Sequence, residues 1–448
     1  MQIKLLTFLF IGFSLLTQAQ KFTNSPFSSY GIGEAGGLDH ATFSGMGNST
    51  IALLDTTILN FYNPSSYASL GKGQPLFSTG ISAKFSNYAA AGNSYNAYLA
   101  GLDHFALGIP FGKRFGIAFG LKPFSRTGYE FSDKKAVAED SMSYIYRGSG
   151  GTHEVFGGLS ANILKIKNHR LGVGTNLGYI FGSNVNERVA YLSGGIAGGV
   201  ENKGYSLRSF HYDLGLNYLW DINKYQSITI AAVYTPEQQL TASRNEFLAY
   251  TSNITNPNTY SYLSYLDGDK GKIVMPATMG AGFSFTTMPD ISIANNRTKI
   301  YQLTVTGEFK ITDWSAYATD FSGMRVNGGF ANTTRFSVGA QFTPHYNFLD
   351  RSTTIGYLNR VRYRAGFYRA ELPLVVQSKQ QSDMGVTVGF GLPIAIQRSS
   401  SSINFGITAG KRGNGLDESL NERYIGFNFG VTISPGYNDR WFRKFKID

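Results

Sequence analysis

The feature that most constrains the fold is a strict alternation of apolar and small or polar residues near the end of the chain. In "YIGFNFGVTIS", apolar side chains at every second position from Ile425 to Ile433 alternate with glycine, asparagine and threonine. A period of two residues indicates a β-strand with one apolar face. The same alternation recurs at residues 212–220, 336–342, 384–392 and 403–409. The chain is therefore predicted to be all-β.

Alternation alone does not separate a soluble sandwich from a membrane barrel, because both have strands with one apolar face. The composition favours the barrel: 53 Gly, 34 Phe and 28 Tyr accompany only 15% charged residues. Lipid-facing belts use such aromatic residues. Alternating runs begin near residues 76, 102, 114, 153, 170, 207, 226, 273, 299, 331, 361, 381, 402 and 423. We therefore predict an antiparallel, 14-stranded outer-membrane β-barrel over residues 75–448, since such barrels close with even strand numbers.

The predicted connections support this topology. Those after the second, fourth, sixth and twelfth strands are short, and those after the third, fifth and seventh are long and polar, with residues 240–272 the longest. Short turns on the periplasmic side and long loops on the exterior side are typical of bacterial barrels. The connection after the tenth strand is long for a periplasmic turn.

The first residues resemble a secretory signal peptide. Lys4 precedes an apolar run from Leu5 to Leu16, and Thr17 and Ala19 stand at the small-residue positions of a cleavage site. We expect cleavage after Ala19; the alternative is an internal apolar segment that happens to be N-terminal. No later apolar stretch reaches the length of about 18 residues that a transmembrane helix needs. The chain has no cysteine, which excludes a lipid anchor on cysteine and any disulfide.

A barrel of fourteen strands is too wide for its own side chains to fill. Residues 20–74 are predicted to be a hatch, a plug inside the barrel, because they contain many apolar residues but match neither helix nor strand period. In "LLDTTILNFYNPSSYASL", Pro64 fixes φ and removes a backbone donor, and Asn63 favours a turn through local hydrogen bonds. Asn63, Pro64 and Ser65 are predicted to shape the hatch and to gate a ligand.

The net charge of +11 raises the question of nucleic acid. The basic residues fall in short groups at predicted turns, at residues 112–114, 165–170 and 440–448, rather than in one patch with aromatic stacking positions. We interpret them as solvated turns, some facing anionic lipid headgroups. No nucleic-acid partner is predicted.

Enzymatic and metal chemistry have weak signals. His211 and Asp213 share a predicted inward face, a spacing compatible with a base and its carboxylate, but no G-x-S-x-G motif accompanies them. They are predicted to be polar residues of the lumen. No His, Asp or Glu cluster has zinc spacing, and "YLDGDKG" at residues 265–271 lacks the glutamate of a calcium loop. We predict no catalytic residue, metal or cofactor.

Proline placement predicts a break in the wall. Pro123 falls on the lipid-facing parity of the third strand, and Gly120 just before it favours a bulge or kink. A break there would make a side opening. The alternative is that the strand ends at Leu121 and Pro123 begins a loop.

Several segments resemble the outer-membrane long-chain fatty-acid and hydrocarbon transporters of the FadL/TodX type. They are "FSSYGIGEAG", the segment containing Asn63, Pro64 and Ser65, "IVMPATMGAGFSF" at residues 273–285 and "VRYRAGFYRAELPL" at residues 361–374. Ser65 replaces the alanine of that family's Asn-Pro-Ala motif. The resemblance implies a hatch, a hydrophobic small molecule bound in the lumen, and lateral release into outer-membrane lipid near Gly120 and Pro123. Barrels of the PorV type, which are similar, imply the alternative of a non-transporting accessory subunit with protein partners in a secretion or assembly complex.

Overall fold

The computed structural model describes residues 25–434, apart from residues 37–39, 113, 138–139, 193–194, 196, 294–296, 346–355 and 395–399. The predicted cleavage site at Ala19 and the basic C-terminal residues lie outside the described part. No helix in that part is long and apolar enough to cross a membrane.

Strands dominate the described part of the chain, with short helices only at Pro26–Ser29, Ala41–Ser44, Pro64–Ser69, Pro257–Thr259, Trp314–Ala316 and Tyr357–Arg360. The first strands are β1 (Glu34–Ala35), β2 (Leu76–Ala90), β3 (Asn93–Phe111), β4 (Phe115–Val137), β5 (Asp140–Ile166), β6 (His169–Leu192), β7 (Gly198–Asp221), β8 (Gln226–Thr235), β9 (Gln238–Thr251) and β10 (Tyr260–Met275). The others are β11 (Thr278–Thr287), β12 (Asp290–Ile293), β13 (Arg297–Ile300), β14 (Gln302–Thr312), β15 (Ala318–Phe321), β16 (Met324–Asn327), β17 (Thr333–Thr343), β18 (Arg362–Val376), β19 (Lys379–Pro393), β20 (Ser402–Gly413) and β21 (Asn421–Ile433).

The strands form a closed antiparallel barrel, which confirms the predicted fold. Its wall has fourteen strand positions, which we call staves. The first stave, β2, pairs with the last, β21, from Phe77↔Ile433 to Ala89↔Asn421. Two staves are interrupted: β8 and β9 form one, broken at Pro236, and β10 and β11 form another, broken at Pro276. The breaks occur there because proline cannot donate to the ladder.

The barrel wall is apolar outside and polar inside, the reverse of a soluble sandwich. On β21, Ile425, Phe427 and Phe429 are exposed, whereas Tyr424 and Asn428 are buried. The apolar residues of the alternating pattern that predicted the strands therefore face the lipid.

The long exterior loops predicted from the sequence are instead paired strands. Residues 240–272, predicted to be the longest loop, lie mostly in β9 and β10, which pair from Tyr260↔Thr251 to Met275↔Gln238. The strands β4 to β7 are equally extended, and β15 and β16 continue the same sheet beyond β10. Main-chain pairing holds this extended part of the sheet together, which we call the outer sheet, although polar residues fall on both of its faces. The connection after β17 is only partly described.

The N-terminal segment, which the structure describes from residue 25 to residue 74 with residues 37–39 excepted, lies inside the barrel. The Pro64–Ser69 helix contacts β3 to β7, and the Ala41–Ser44 helix contacts β19 to β21 on the opposite wall. Inward glycines let the two backbones touch. A Cβ on Gly116 would lie 2.2 Å from the carbonyl of Tyr67, and one on Gly174 would lie 2.5 Å from that of Pro64. The Gly-rich inward faces are thus the surface on which this segment is packed.

Candidate functional site

The Asn63-Pro64-Ser65 turn fastens the N-terminal segment to the barrel. The Asn63 Oδ1 atom accepts hydrogen bonds from the Ser65 backbone N–H at 3.1 Å and from the Ser65 hydroxyl at 2.7 Å. The Asn63 amide donates to the Ile51 carbonyl at 2.7 Å. From the wall, Asn217 Nδ2 and the Ser160 hydroxyl donate to the Ser65 carbonyl at 2.8 and 2.9 Å. The turn therefore has a complete set of local and wall partners.

The buried carboxylate of Glu308 binds an earlier part of the N-terminal segment, at Thr50 and Ile51. One oxygen of Glu308, on β14, accepts hydrogen bonds from the backbone N–H groups of Thr50 and Ile51, at 2.6 and 2.9 Å. Charge-assisted hydrogen bonds of this kind are stronger than neutral ones. The anchor was not predicted, although Glu308 follows Thr304 and Thr306 on one strand face and could have been recognised as an inward carboxylate.

A histidine pair joins the segment to β2 and β3. The rings of His40 and His104 stack with centroids 4.4 Å apart. The Ser78 hydroxyl lies 2.8 Å from Nε2 of His104 and 3.4 Å from Nε2 of His40. Burial, followed by the nearby His104 and Arg364, lowers the pKa of His40 well below its usual value. His40 is thus neutral, and the two rings form a close-packed contact.

Ser78, His104 and Asp103 also have the spacing of a nucleophile, a base and its carboxylate. Nδ1 of His104 lies 2.6 Å from an oxygen of Asp103. However, Ser78 is 2% exposed and His104 1% exposed, and neither lines the main cavity. A substrate has no access to the hydroxyl, so the cluster acts as a polar anchor.

An ionic latch holds the beginning of the segment. Arg412, on β20, contacts Glu34 at 2.5 Å and Asp383 at 3.0 Å. Burial alone would raise the pKa of Glu34, but the attraction of Arg412 and Lys84 outweighs it and lowers this pKa to about 2. Glu34 is therefore ionised at neutral pH. The latch draws residues 25–36 across the lumen.

The strands β3 and β4 are neighbours in the wall, but they are not paired with each other beyond Leu121 of β4. These strands pair only from Phe105↔Leu121 to Phe111↔Phe115, although β4 continues to Val137. The N-terminal segment occupies the free edge of β4, because β1 pairs there through Glu34↔Arg126 and Ala35↔Ser125. On the outside, the Arg126 guanidinium donates to the Leu102 carbonyl at 3.0 Å. We refer to this unpaired region as the wall gap.

The wall gap borders the main cavity of the lumen, which has a volume of about 630 Å³. Tyr98 and Leu99 on β3, and Pro123 and Phe124 on β4, line it from the two sides of the gap. Its apolar lining includes Phe27, Ile32, Met275, Trp314, Phe330, Leu372 and Leu374. Its charged lining includes Lys84, Lys122, Lys310, Arg335, Arg412, Glu34, Glu154, Asp213, Glu308 and Asp383. The lining of the cavity thus combines apolar residues with charged residues of both signs.

A family model described as BamG matches residues 1–448 of the chain. The chain belongs to the BamG family. No curated protein sequence is matched.

This BamG-family chain shares its fold with solved hydrocarbon channels. The toluene transporter TbuX of Ralstonia pickettii has a TM-score of 0.54 at 14% identity, covering 88% of this chain and 97% of its own. The monoaromatic hydrocarbon channel CymD has a TM-score of 0.53 at 14% identity, covering 91% and 99%. The toluene transporter TodX of Pseudomonas putida has a TM-score of 0.53 at 15% identity, covering 90% and 99%. The FadL/TodX-type barrel implied by the sequence resemblance is confirmed, and these relatives are channels rather than enzymes.

The predicted site residues of the BamG-family chain lie in three places. Asn63, Pro64 and Ser65 contact the wall and do not line the cavity, so their gating role stays a prediction. Pro123 lines the cavity and stands at a register shift in the β4–β5 pairing. Gly120 lies beside it, where a Cβ would be 2.6 Å from the Phe156 ring.

His211 and Asp213 line the cavity together with Glu154 and Lys122. The sequence did not predict that Glu154 and Lys122 would lie beside them. Glu154 lies 3.3 Å from Nδ1 of His211 and 3.4 Å from the Lys122 ammonium. Asp213 accepts from the Asn176 amide at 3.1 Å. Glu154, His211 and Asp213 are close enough to hold a metal ion, but the Lys122 ammonium already supplies positive charge there. The arrangement is a charged network of the lumen.

Proposed function

We propose that this protein transports small hydrophobic or amphiphilic compounds across the outer membrane and releases them laterally through the wall gap. The observation that supports this proposal is the loss of β3–β4 pairing beyond Leu121, directly beside the 630 Å³ cavity. CymD, TbuX and TodX, which share the fold, are described as a hydrocarbon channel and toluene transporters.

The physical reason for a lateral route is the cost of exposing apolar surface to water. Each methylene moved from water to an apolar environment gains about 0.8 kcal/mol. A solute that leaves through the gap enters the membrane directly and avoids the aqueous periplasm. Apolar residues of the cavity lining, such as Phe27, Phe124 and Phe330, would contact the solute.

The absence of cysteine from the sequence makes a clean cross-linking test practical. Ala35 and Ser125 are register partners at the gap, so Ala35→Cys with Ser125→Cys should form a disulfide that fixes β1 to the edge of β4. We expect oxidation to reduce toluene uptake into proteoliposomes and a reductant to restore it. The control pair, Phe285→Cys with Val305→Cys, staples β11 to β14 on the lipid-facing side. Equal uptake by the oxidised and reduced gap pair would refute lateral release.

We also propose, as a second candidate function, that the protein is an accessory barrel of an outer-membrane secretion or assembly complex. The outer sheet, formed by β4 to β7, β9, β10, β15 and β16, extends beyond the barrel and carries exposed apolar side chains. Tyr262, Leu263 and Tyr265 are 55%, 72% and 63% exposed. Monomeric proteins rarely expose large apolar patches without a partner.

Purification in mild detergent separates the two candidates. Stoichiometric subunits that are lost in the double variant Tyr262→Ser with Tyr265→Ser would support the accessory role. A lone monomer with bound apolar lipid, and uptake unaffected by that variant, would support transport.

A further inference from the structure

The outer wall carries a row of three cations above its apolar band. Six neighbouring strands, β18, β19, β20, β21, β2 and β3, place one outward residue each in a single line of register partners across the strands. In order around the wall these residues are Arg369, Met384, Lys411, Arg423, Asn87 and Asn96. Neighbouring strands lie about 4.8 Å apart, so the three cations fall within roughly 15 Å of one another.

The three cations are exposed, and within the described part of the chain none forms a hydrogen bond or an ion pair. The nearest acidic residues along β19 and β21, Asp383 and Glu422, point inward and contact Arg412. Glu371, two residues beyond Arg369, accepts a hydrogen bond from the Thr334 hydroxyl at 2.7 Å. The positive charge of the row is therefore open to an outside partner.

An apolar groove with a volume of about 850 Å³ lies directly below the row. The small residue Ala409 forms its floor, and larger side chains stand around it. These are Phe85, Tyr98, Phe367, Val386 and Ile425. Lys411 and Arg423 close its upper end. The groove thus has an apolar trough and a cationic head.

The row stands at the height of lipid headgroups. From Ile425 to Ile433 the outward residues of β21 are apolar, a span of roughly 20 Å along the barrel axis for tilted strands. Both ends of the barrel chain, Leu76 and Ile433, lie at the opposite end, which is the periplasmic end in bacterial barrels. The row therefore faces the headgroups of the outer leaflet.

We propose that this surface binds one phosphorylated glycolipid of the outer leaflet, with its phosphates on Arg369, Lys411 and Arg423 and one acyl chain in the Ala409 groove. Guanidinium groups bind phosphate in a bidentate manner, and lysine adds a point charge. The apolar trough selects a lipid over a free phosphate ion. The inference is independent of which function proposed above is correct.

The test uses the full-length protein in detergent, with bisphosphorylated lipid A as the probe and native mass spectrometry as the measurement. Two cations at a membrane surface contribute enough that Lys411→Gln with Arg423→Gln should weaken binding about 25-fold. Lys411→Arg with Arg423→Lys should retain binding. The matched control is Arg208→Gln, since Arg208 is an exposed outward cation on β7, next to Phe210 on the same face. It should leave the affinity unchanged.

A second arm separates a built site from general attraction between charges. Ala409→Trp fills the groove and keeps all three cations, so it should weaken the binding of lipid A. In the unaltered protein, inorganic phosphate should fail to displace lipid A. Dephosphorylated lipid A should bind the unaltered protein as weakly as lipid A binds the Lys411→Gln, Arg423→Gln variant. Equal losses in Arg208→Gln and in the double variant, or undiminished binding of dephosphorylated lipid A, would overturn the proposal. Heat-modifiable mobility on gels checks that each variant is a folded barrel.

Discussion

Removal of the Glu308 carboxylate should loosen the N-terminal segment inside an intact barrel. In Glu308→Ala, the backbone N–H groups of Thr50 and Ile51 lose their acceptor in a buried place. A buried donor without a partner costs about 1–3 kcal/mol, so the two together cost about 2–6 kcal/mol. This cost falls on the seating of the segment, because β14 keeps its pairing with β11 and β17.

Hydrogen exchange measured by mass spectrometry tests this expectation. Each 1.4 kcal/mol corresponds to a tenfold change in an equilibrium constant, so local exchange at residues 48–54 should rise by at least about tenfold in Glu308→Ala. Glu308→Gln keeps an acceptor oxygen and loses only the charge, and it should show a smaller rise. The control Glu130→Ala removes an exposed carboxylate of the outer sheet and should leave these residues unchanged.

The reasoning would be refuted in two ways. If exchange at residues 48–54 is the same in Glu308→Ala as in the unaltered protein, the two hydrogen bonds do not hold the segment. If exchange rises equally across β14, β11 and β17, the substitution has damaged the wall, and the anchor is not local.

Three further predictions concern the same segment. Deletion of residues 24–70 should raise single-channel conductance in a planar bilayer, since the segment is predicted to plug the lumen; unchanged conductance would contradict the plug. Glu34 has a pKa lowered from 4.5 to about 2, so its contribution to the stability of the N-terminal segment is present above pH 4.5 and is lost as the pH falls toward 2. Hydrogen exchange at residues 25–36 should therefore rise as the pH falls through this window. It should not rise in Arg412→Gln, where the ion pair with Glu34 is already broken. Gly174→Val should displace the Pro64 turn, where a Cβ meets the backbone at 2.5 Å, and raise exchange at residues 60–67. The control Gly101→Val, where a Cβ meets nothing within 4 Å, should not.

The barrel could be predicted because each stave repeats a two-residue pattern that depends only on local sequence. The predicted starts near residues 76, 226, 402 and 423 agree with β2, β8, β20 and β21. The outer sheet could not be predicted in this way. Polar residues fall on both faces of its strands, so residues 240–272 show no strict alternation, and their pairing is visible only in the register of β9 with β10.

The contacts of the site could not be predicted, because they join residues far apart in sequence. The turn at Asn63 and Pro64 follows from local chemistry, but its wall partners Ser160 and Asn217 are 95 and 152 residues away from Ser65. The Glu34–Arg412 latch spans 378 residues. A strand's parity tells which face a residue is on, but not which residue meets it across the lumen.

The third stave distinguishes the two sequence alternatives for Pro123. A loop beginning after Leu121 would end the strand, yet β4 continues to Val137 and stays paired with β5 through a register shift beside Pro123. The other alternative, a bulge or kink that breaks the wall, agrees with this register shift and with the end of the β3 pairing at Leu121. Because the break affects one edge only, the free edge of β4 presents backbone groups to the lumen. The N-terminal segment satisfies them through β1, so any solute that leaves through the wall gap must first compete with this pairing.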